Sequence, residues 1–189
     1  MAFSKPGFLK SPLEHYRDSM ESVMGKKSAV FREKSVKKGL PFVYTLVFNQ
    51  DTSEPLCTFS YGASFAVTPD QKEKVELMLQ MDTEDMAWAH VVGYLANQLR
   101  GDCPFNPGEI IRFGQKISQE SKLNSFVLVM PDLAGLPKPV YDGKKSTGVH
   151  IMELLPIYEE EVLSIAKLGL PQFLALIDPH KTNPLRKSF

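Results

Sequence analysis

The apolar positions of this chain recur with two periods, and the places where the period changes mark its elements. In SPLEHYRDSMESVMG, Leu13, Tyr16, Met20 and Val23 recur at helical spacing. Ser11, Pro12 and Glu14 supply an N-cap, a first-turn proline and the acid of a capping box, and Gly25 supplies a stop. The lysine-rich span 26–39 carries neither period and reads as a solvated linker. PFVYTLVF then sets Phe42, Tyr44, Leu46 and Phe48 on one face of a strand and Val43 and Val47 on the other. A strand apolar on both faces is covered on both, so it belongs near the middle of a sheet. PLCTFSYG, after the turn-prone NQDTSEP, pairs as its neighbour. In KVELMLQM, Val75, Leu77, Leu79 and Met81 face one way and Glu76 and Gln80 the other, which predicts a half-buried third strand.

The segment DTEDMAWAHVVGYLANQLRG predicts a helix capped by Asp82 or Thr83, with Trp88, Val91, Val92, Leu95 and Leu99 in one stripe and Gly101 at its end. His90 lies off the centre of that stripe, beside Tyr94 and Asn97, and reads as a solvated surface residue. Short strands follow in EIIRF, KIS and SFVLVM. Residues 131–147 hold a Pro/Gly-rich loop; a loop beyond about 12–15 residues is a binding loop or a mobile connection. A last strand is expected over 149–155, stopped by Pro156, which has no N–H for the ladder. Glu159, Glu160 and Glu161 then fit the first turn of a helix, where the macrodipole favours acids by about 0.3–1 kcal/mol each. Gly169 ends that helix, Pro171 opens another, and the polar HKTNPLRKSF is expected to fray.

The chain divides into an N-terminal helix and linker (1–40), one α/β domain (41–178) and a polar tail (179–189). Lys plus Arg and Asp plus Glu both number 22, so no overall field recruits nucleic acid or an anionic membrane. There is no apolar run of membrane-spanning length, and the N-terminus has no apolar core of a secretory signal. Cys57 and Cys103 are far apart without CxxC spacing, and Cys57 reads as a small buried hydrophobe; together these point to a soluble protein of a reducing, cytoplasmic compartment.

Local catalytic signatures are missing: no HExxH, GxSxG, Walker loop or GxGxxG occurs. His150 and Glu153 mimic a metal pair, but their odd separation on a strand sets them on opposite faces. No metal or cofactor is therefore expected.

Taken in order, CTFSYGASF, KVELMLQM, MAWAHVVGYLANQL, FNPGEIIRFG, SFVLVM and VHIMELLPIYEEEVLSIAKLGLPQFLALI resemble the Suppressor of fused family, specifically its N-terminal-type domain. The resemblance runs from Pro41 to Ile177 and implies a mixed, largely antiparallel sheet flanked by helices. It also implies protein binding rather than catalysis. Eukaryotic members restrain Hedgehog signalling by gripping a short peptide of Gli transcription factors between two domains, partly by strand addition. Bacterial members are mostly single domains, many of them thought to be immunity proteins. The family's peptide-binding acid matches Glu109, after Gly108, whereas its Tyr falls near Gln98 and its His near Gly114, so Gli-type recognition does not carry over.

These readings converge on a non-enzymatic binding module with a protein partner, a toxin or a regulator, acting as a monomer or weak homodimer. Its expected surface joins residues 102–108, Glu109 and the 131–147 loop, with Glu109, Asp102, Gln98 and Asp132 as contacts. The rival reading is an enzyme or metal protein with a site assembled from His90, Asp102, Cys103 and Glu109. Nucleic-acid binding is the weakest reading, since no stripe of basic and aromatic residues is present.

Overall fold

The computed structural model describes residues 6–49, 54–71, 73–133, 136 and 148–189. Among these residues the chain forms seven strands: β1 (Ala29–Glu33), β2 (Val43–Phe48), β3 (Leu56–Tyr61), β4 (Lys74–Met81), β5 (Ile110–Arg112), β6 (Ser125–Val129) and β7 (Val149–Ile157). Four helices accompany them: α1 (Pro12–Met24), α2 (Ala87–Leu99), α3 (Glu161–Leu168) and α4 (Leu170–Ile177). One sheet holds the strands in the order β1-β2-β3-β4-β7-β6-β5. All pairs are antiparallel except β4 with β7, which lies parallel in the centre. The architecture is thus the expected mixed, largely antiparallel sheet flanked by helices.

The two faces of β2 go where their spacing predicts. Val43 and Val47 pack with α2 residues Trp88, Val92 and Leu95, while Leu46 and Phe48 pack under α1 residues Tyr16 and Met20. Further along the second face, α4 lays Phe173 and Ile177 on Val127, Val129, Leu155 and Ile157. Ser11 and Glu14 form the capping box of α1, and Gly25 closes it in the left-handed region. Gly93 lets α2 approach the sheet closely, because a Cβ there would lie 2.7 Å from a Glu33 carboxylate oxygen and against the Thr45 hydroxyl.

Several expectations are corrected. The supposed linker contains β1, an edge strand whose alternation of partly buried and exposed positions is short and mostly polar. KIS forms no strand, and α2 starts later than expected, with an Asp85 carboxylate oxygen, not Asp82 or Thr83, accepting from the Ala87 N–H at 2.9 Å. β4 is not half-buried: it is a central strand, and Glu76 on its expected polar face is fully buried.

β7 runs through Pro156 to Ile157. Pairing with β4 ends at Glu153, and the Pro156 carbonyl points away from β6 to accept from Arg186 at 3.2 Å. The missing N–H of Pro156 therefore faces the side that β4 has already left, where no ladder bond is lost.

The glutamate run is more than a helix start. Glu161 is fully buried, and the Arg186 guanidinium donates to both of its oxygens at 2.6 Å. The N–H groups of Tyr158 and Phe189 complete the carboxylate's shell at 2.9 and 3.2 Å. The tail expected to fray is thereby docked, and Thr182 adds a second tie, its hydroxyl donating to Asp82 at 2.6 Å.

Candidate protein-binding surface

The loop after α2 is shaped by three backbone devices. Gly101, at φ 78°, turns the chain out of the helix, and the Cys103 N–H returns to the Leu99 carbonyl at 2.8 Å. Phe105 adopts φ 47°, unusual for a side chain with a Cβ, and buries its ring completely in the α2-side core. That burial holds the strained backbone in place. Gly108 (φ 88°) then turns the chain into β5, its N–H donating to the Leu128 carbonyl at 2.7 Å while the Glu109 carbonyl accepts from Leu128 at 2.9 Å. Glu109 is thus a half-buried side chain on a backbone locked to β6.

Beside this loop lies a cleft of about 250 Å³ lined by Glu73, Phe105, Asn106, Pro107, Met130, His150 and Met152. It sits where residues 102–108 meet both ends of the 131–147 segment: Met130 follows β6 directly, and His150 is near the start of β7. Met130 is 61% exposed, a large apolar side chain left in solvent at the rim. His150 Nε2 stands 3.6 Å from a Glu73 oxygen, and the Asn106 amide donates to the Asp70 carbonyl at 3.2 Å. The lining is mostly apolar, with a His–carboxylate pair and an amide at its edge. Such a cleft suits one apolar side chain of a partner flanked by polar backbone, and methionines adapt their shape to different occupants.

The expected contact residues are not gathered into one patch. Gln98 lies half-buried in the last turn of α2. Asp102 is exposed and its carboxylate accepts from the Lys37 ammonium. Asp132 is 90% exposed by side chain and stands 3.7 Å from Lys181, on the α4 side of the sheet near Glu153. Most of the 131–147 loop, residues 134, 135 and 137–147, lies outside the described residues. Glu73 and Met130 were not singled out from sequence, and His150 was weighed only as a metal ligand and set aside. The available signal was Met130, the apolar residue that overruns SFVLV into a proline-rich loop.

The rival catalytic set does not assemble. His90 is solvent-exposed in the first turn of α2, its ring 5.3 Å from that of Phe31. Burial raises the Cys103 thiol, and the nearby Glu109 charge adds to the rise against a hydrogen bond with the Phe105 backbone, so this cysteine is not activated. Among the described residues no three His, Cys, Asp or Glu side chains are grouped to hold a metal ion. Cys57 is fully buried as expected, its thiol pushed up to about 12 by burial, with the Glu153 charge adding. No described helix is long and apolar enough to cross a membrane.

The fold is thus a mixed seven-stranded sheet flanked by helices, with a small cleft beside the N-terminal ends of the central strands β4 and β7. The sequence matches the Suppressor of fused protein (SUFU) profile over residues 46–187, and the chain belongs to that family. Among solved structures it is similar to a SUFU homologue from Neisseria gonorrhoeae FA 1090, with a TM-score of 0.62 and 16% identity, covering 92% of this chain and 94% of that one. It is also similar to Drosophila Suppressor of Fused, with a TM-score of 0.61 and 11% identity over 98% of this chain; the match spans 54% of the Drosophila chain. A third similar chain comes from a Sufu–Fu complex, with a TM-score of 0.62 and 13% identity, covering 95% of this chain and 93% of that one. The search of curated proteins found no match.

Proposed function

We propose that this protein is a non-enzymatic binding module of the Suppressor of fused type that sequesters a partner protein, in the manner of a bacterial immunity or regulatory protein. The observation that carries the reading is the cleft between residues 105–107 and the ends of β6 and β7, with Met130 exposed at its rim and Glu109 fixed at the start of β5. The family membership supports a protein-interaction role, and one structural neighbour was solved as a Sufu–Fu complex. Two free cysteines, one of them buried, fit a reducing cytoplasmic compartment.

The test is affinity capture from the source organism with the full chain as bait, followed by identification of the partner. The variants Glu109→Lys, Asp132→Lys and Met130→Asp are then compared with the parent chain for capture of that partner. Loss of capture with Met130→Asp and Glu109→Lys is expected. Undiminished capture by all three would remove this surface from consideration.

A further inference from the structure

The neutral total charge conceals an asymmetry. Residues 1–40 hold nine Lys and Arg against four Asp and Glu, and residues 41–189 hold thirteen against eighteen. Several of the cations of the first part flank β1, which among the described residues is the terminal strand and pairs only with β2. Lys26, Lys27 and Lys37 are neutralised locally by Glu54, Glu21 and Asp102. Among the described residues Arg32, Lys34 and Lys38 enter no ion pair; the Arg32 guanidinium instead lies 4.8 Å over the Phe42 ring. Beyond the end of β1, Lys34, Lys37 and Lys38 line a pocket of about 270 Å³ with Ser35, Gly39, Leu40, Pro41 and Phe42.

This pocket is built on a fixed base. The Asn97 amide donates to the Lys34 carbonyl at 2.8 Å and its oxygen accepts from the Val36 N–H at 3.2 Å. Below, Arg100 is completely buried, donating to the Gly62 carbonyl at 3.0 Å, the Ser35 hydroxyl at 2.6 Å and the Pro41 carbonyl at 2.8 Å. These acceptors are neutral, and among the described residues the Arg100 Nε has no partner. The buried Glu76 carboxylate, which accepts from the Gly62 N–H, offsets the Arg100 charge from the far side of Gly62, so the lysines above set the sign of the pocket.

We propose that the free edge of β1 and the lysine-lined pocket at its end dock an extended, acidic segment of a partner protein. The edge offers unpaired backbone groups for strand addition. Val30 and Phe42, 38% and 40% exposed, offer apolar contacts beside it, and the cations set the sign of the partner. A second copy of this chain is disfavoured as the occupant, because it would bring the same Arg32, Lys34 and Lys38 charges to an edge that already carries them. This surface is separate from the cleft and does not depend on it.

The probe is a fluorescein-labelled peptide, Thr-Glu-Val-Glu-Val-Glu-Thr, titrated with the full chain and followed by anisotropy. Saturable binding is expected, weakening at least about tenfold in the exposed-site double variant Lys34→Glu, Lys38→Glu, whose circular dichroism should match the parent. Amide exchange should slow at residues 29–33 on binding, and a peptide with Lys in place of Glu should not bind. The proposal is overturned if the acidic peptide does not saturate, if the double variant binds it equally well, or if protection falls at residues 110–112 instead. A single-stranded oligodeoxythymidine that binds the same surface more tightly than the peptide would also overturn it.

Discussion

Replacing Glu76 by Gln should cost about 2–4 kcal/mol of folding stability, although the change keeps shape and removes only a charge. The Glu76 carboxylate accepts from the Ser60 hydroxyl at 2.6 Å, the Ser64 hydroxyl at 2.7 Å, and the N–H groups of Gly62, Ala63 and Ser64 at 2.8, 3.1 and 3.3 Å. Ser60 and Ala63 address one oxygen, while Gly62 and Ser64 address the other. A glutamine must place its NH₂ at one of these positions, where at least one backbone N–H then faces another donor. A hydroxyl can rotate to accept; a backbone N–H cannot. The loss is one charge-assisted bond plus one orphaned buried donor, hence the range above, against a total stability of about 5–15 kcal/mol for a domain. Urea unfolding measures it. The reading of β4 as half-buried predicts instead a surface-type effect within about 0.5 kcal/mol, and a loss that small would refute the buried-acceptor reasoning. A second readout follows from Tyr61, whose hydroxyl is pushed up to about 12 by burial, the Glu76 charge and Tyr44. In the Gln variant its ultraviolet titration should move down.

Three further outcomes follow from the packing and the buried charges. Gly93→Ala should destabilise by about 1–3 kcal/mol, against the usual helix preference for Ala, because the added methyl strikes Thr45 and Glu33; unchanged urea unfolding would contradict it. Arg186→Ala strips the buried Glu161 of its partner, a change costing about 3–5 kcal/mol when no relief is available. Here the tail can lift and admit water, so a smaller global loss is expected together with faster proteolysis within residues 179–189, and proteolysis at the parent rate would count against the docked tail. Burial raises the Glu153 carboxyl above its ordinary 4.5, with Asp132 adding and the Lys181 charge and an Asp132 backbone hydrogen bond opposing. The folded state then holds a proton the unfolded chain has released, so this contribution is complete below pH 4.5 and is lost as pH rises through the folded value. Glu153→Gln should flatten that decline in the urea midpoint, and an unaltered pH slope would exclude Glu153 as its source.

What could be read in advance was whatever depends on neighbours along the chain. The capping box of Ser11 and Glu14, the two faces of β2 and the opposite facing of His150 and Glu153 are set by separations of a few residues, and all three hold. What escaped depends on partners brought by the fold. Glu76 looks like the outward residue of an amphipathic strand, because alternation marks polarity and not the donors awaiting it at Gly62 and Ser64. Glu161 looks like a dipole-matched helix start because its guanidinium arrives from residue 186, in a segment whose composition signals fraying. β1 hides because an edge strand buries little, and Phe31 is its one large apolar side chain turned toward α2. The same physics bears on function. A partner surface is defined by side chains left without intramolecular partners, and local pattern cannot tell these from side chains that the fold will satisfy. Asp102 and Asp132, singled out as partner contacts, have found Lys37 and Lys181, whereas Met130 at the cleft and Lys34 and Lys38 at the β1 edge remain turned to solvent. The two proposed surfaces rest on those residues for that reason.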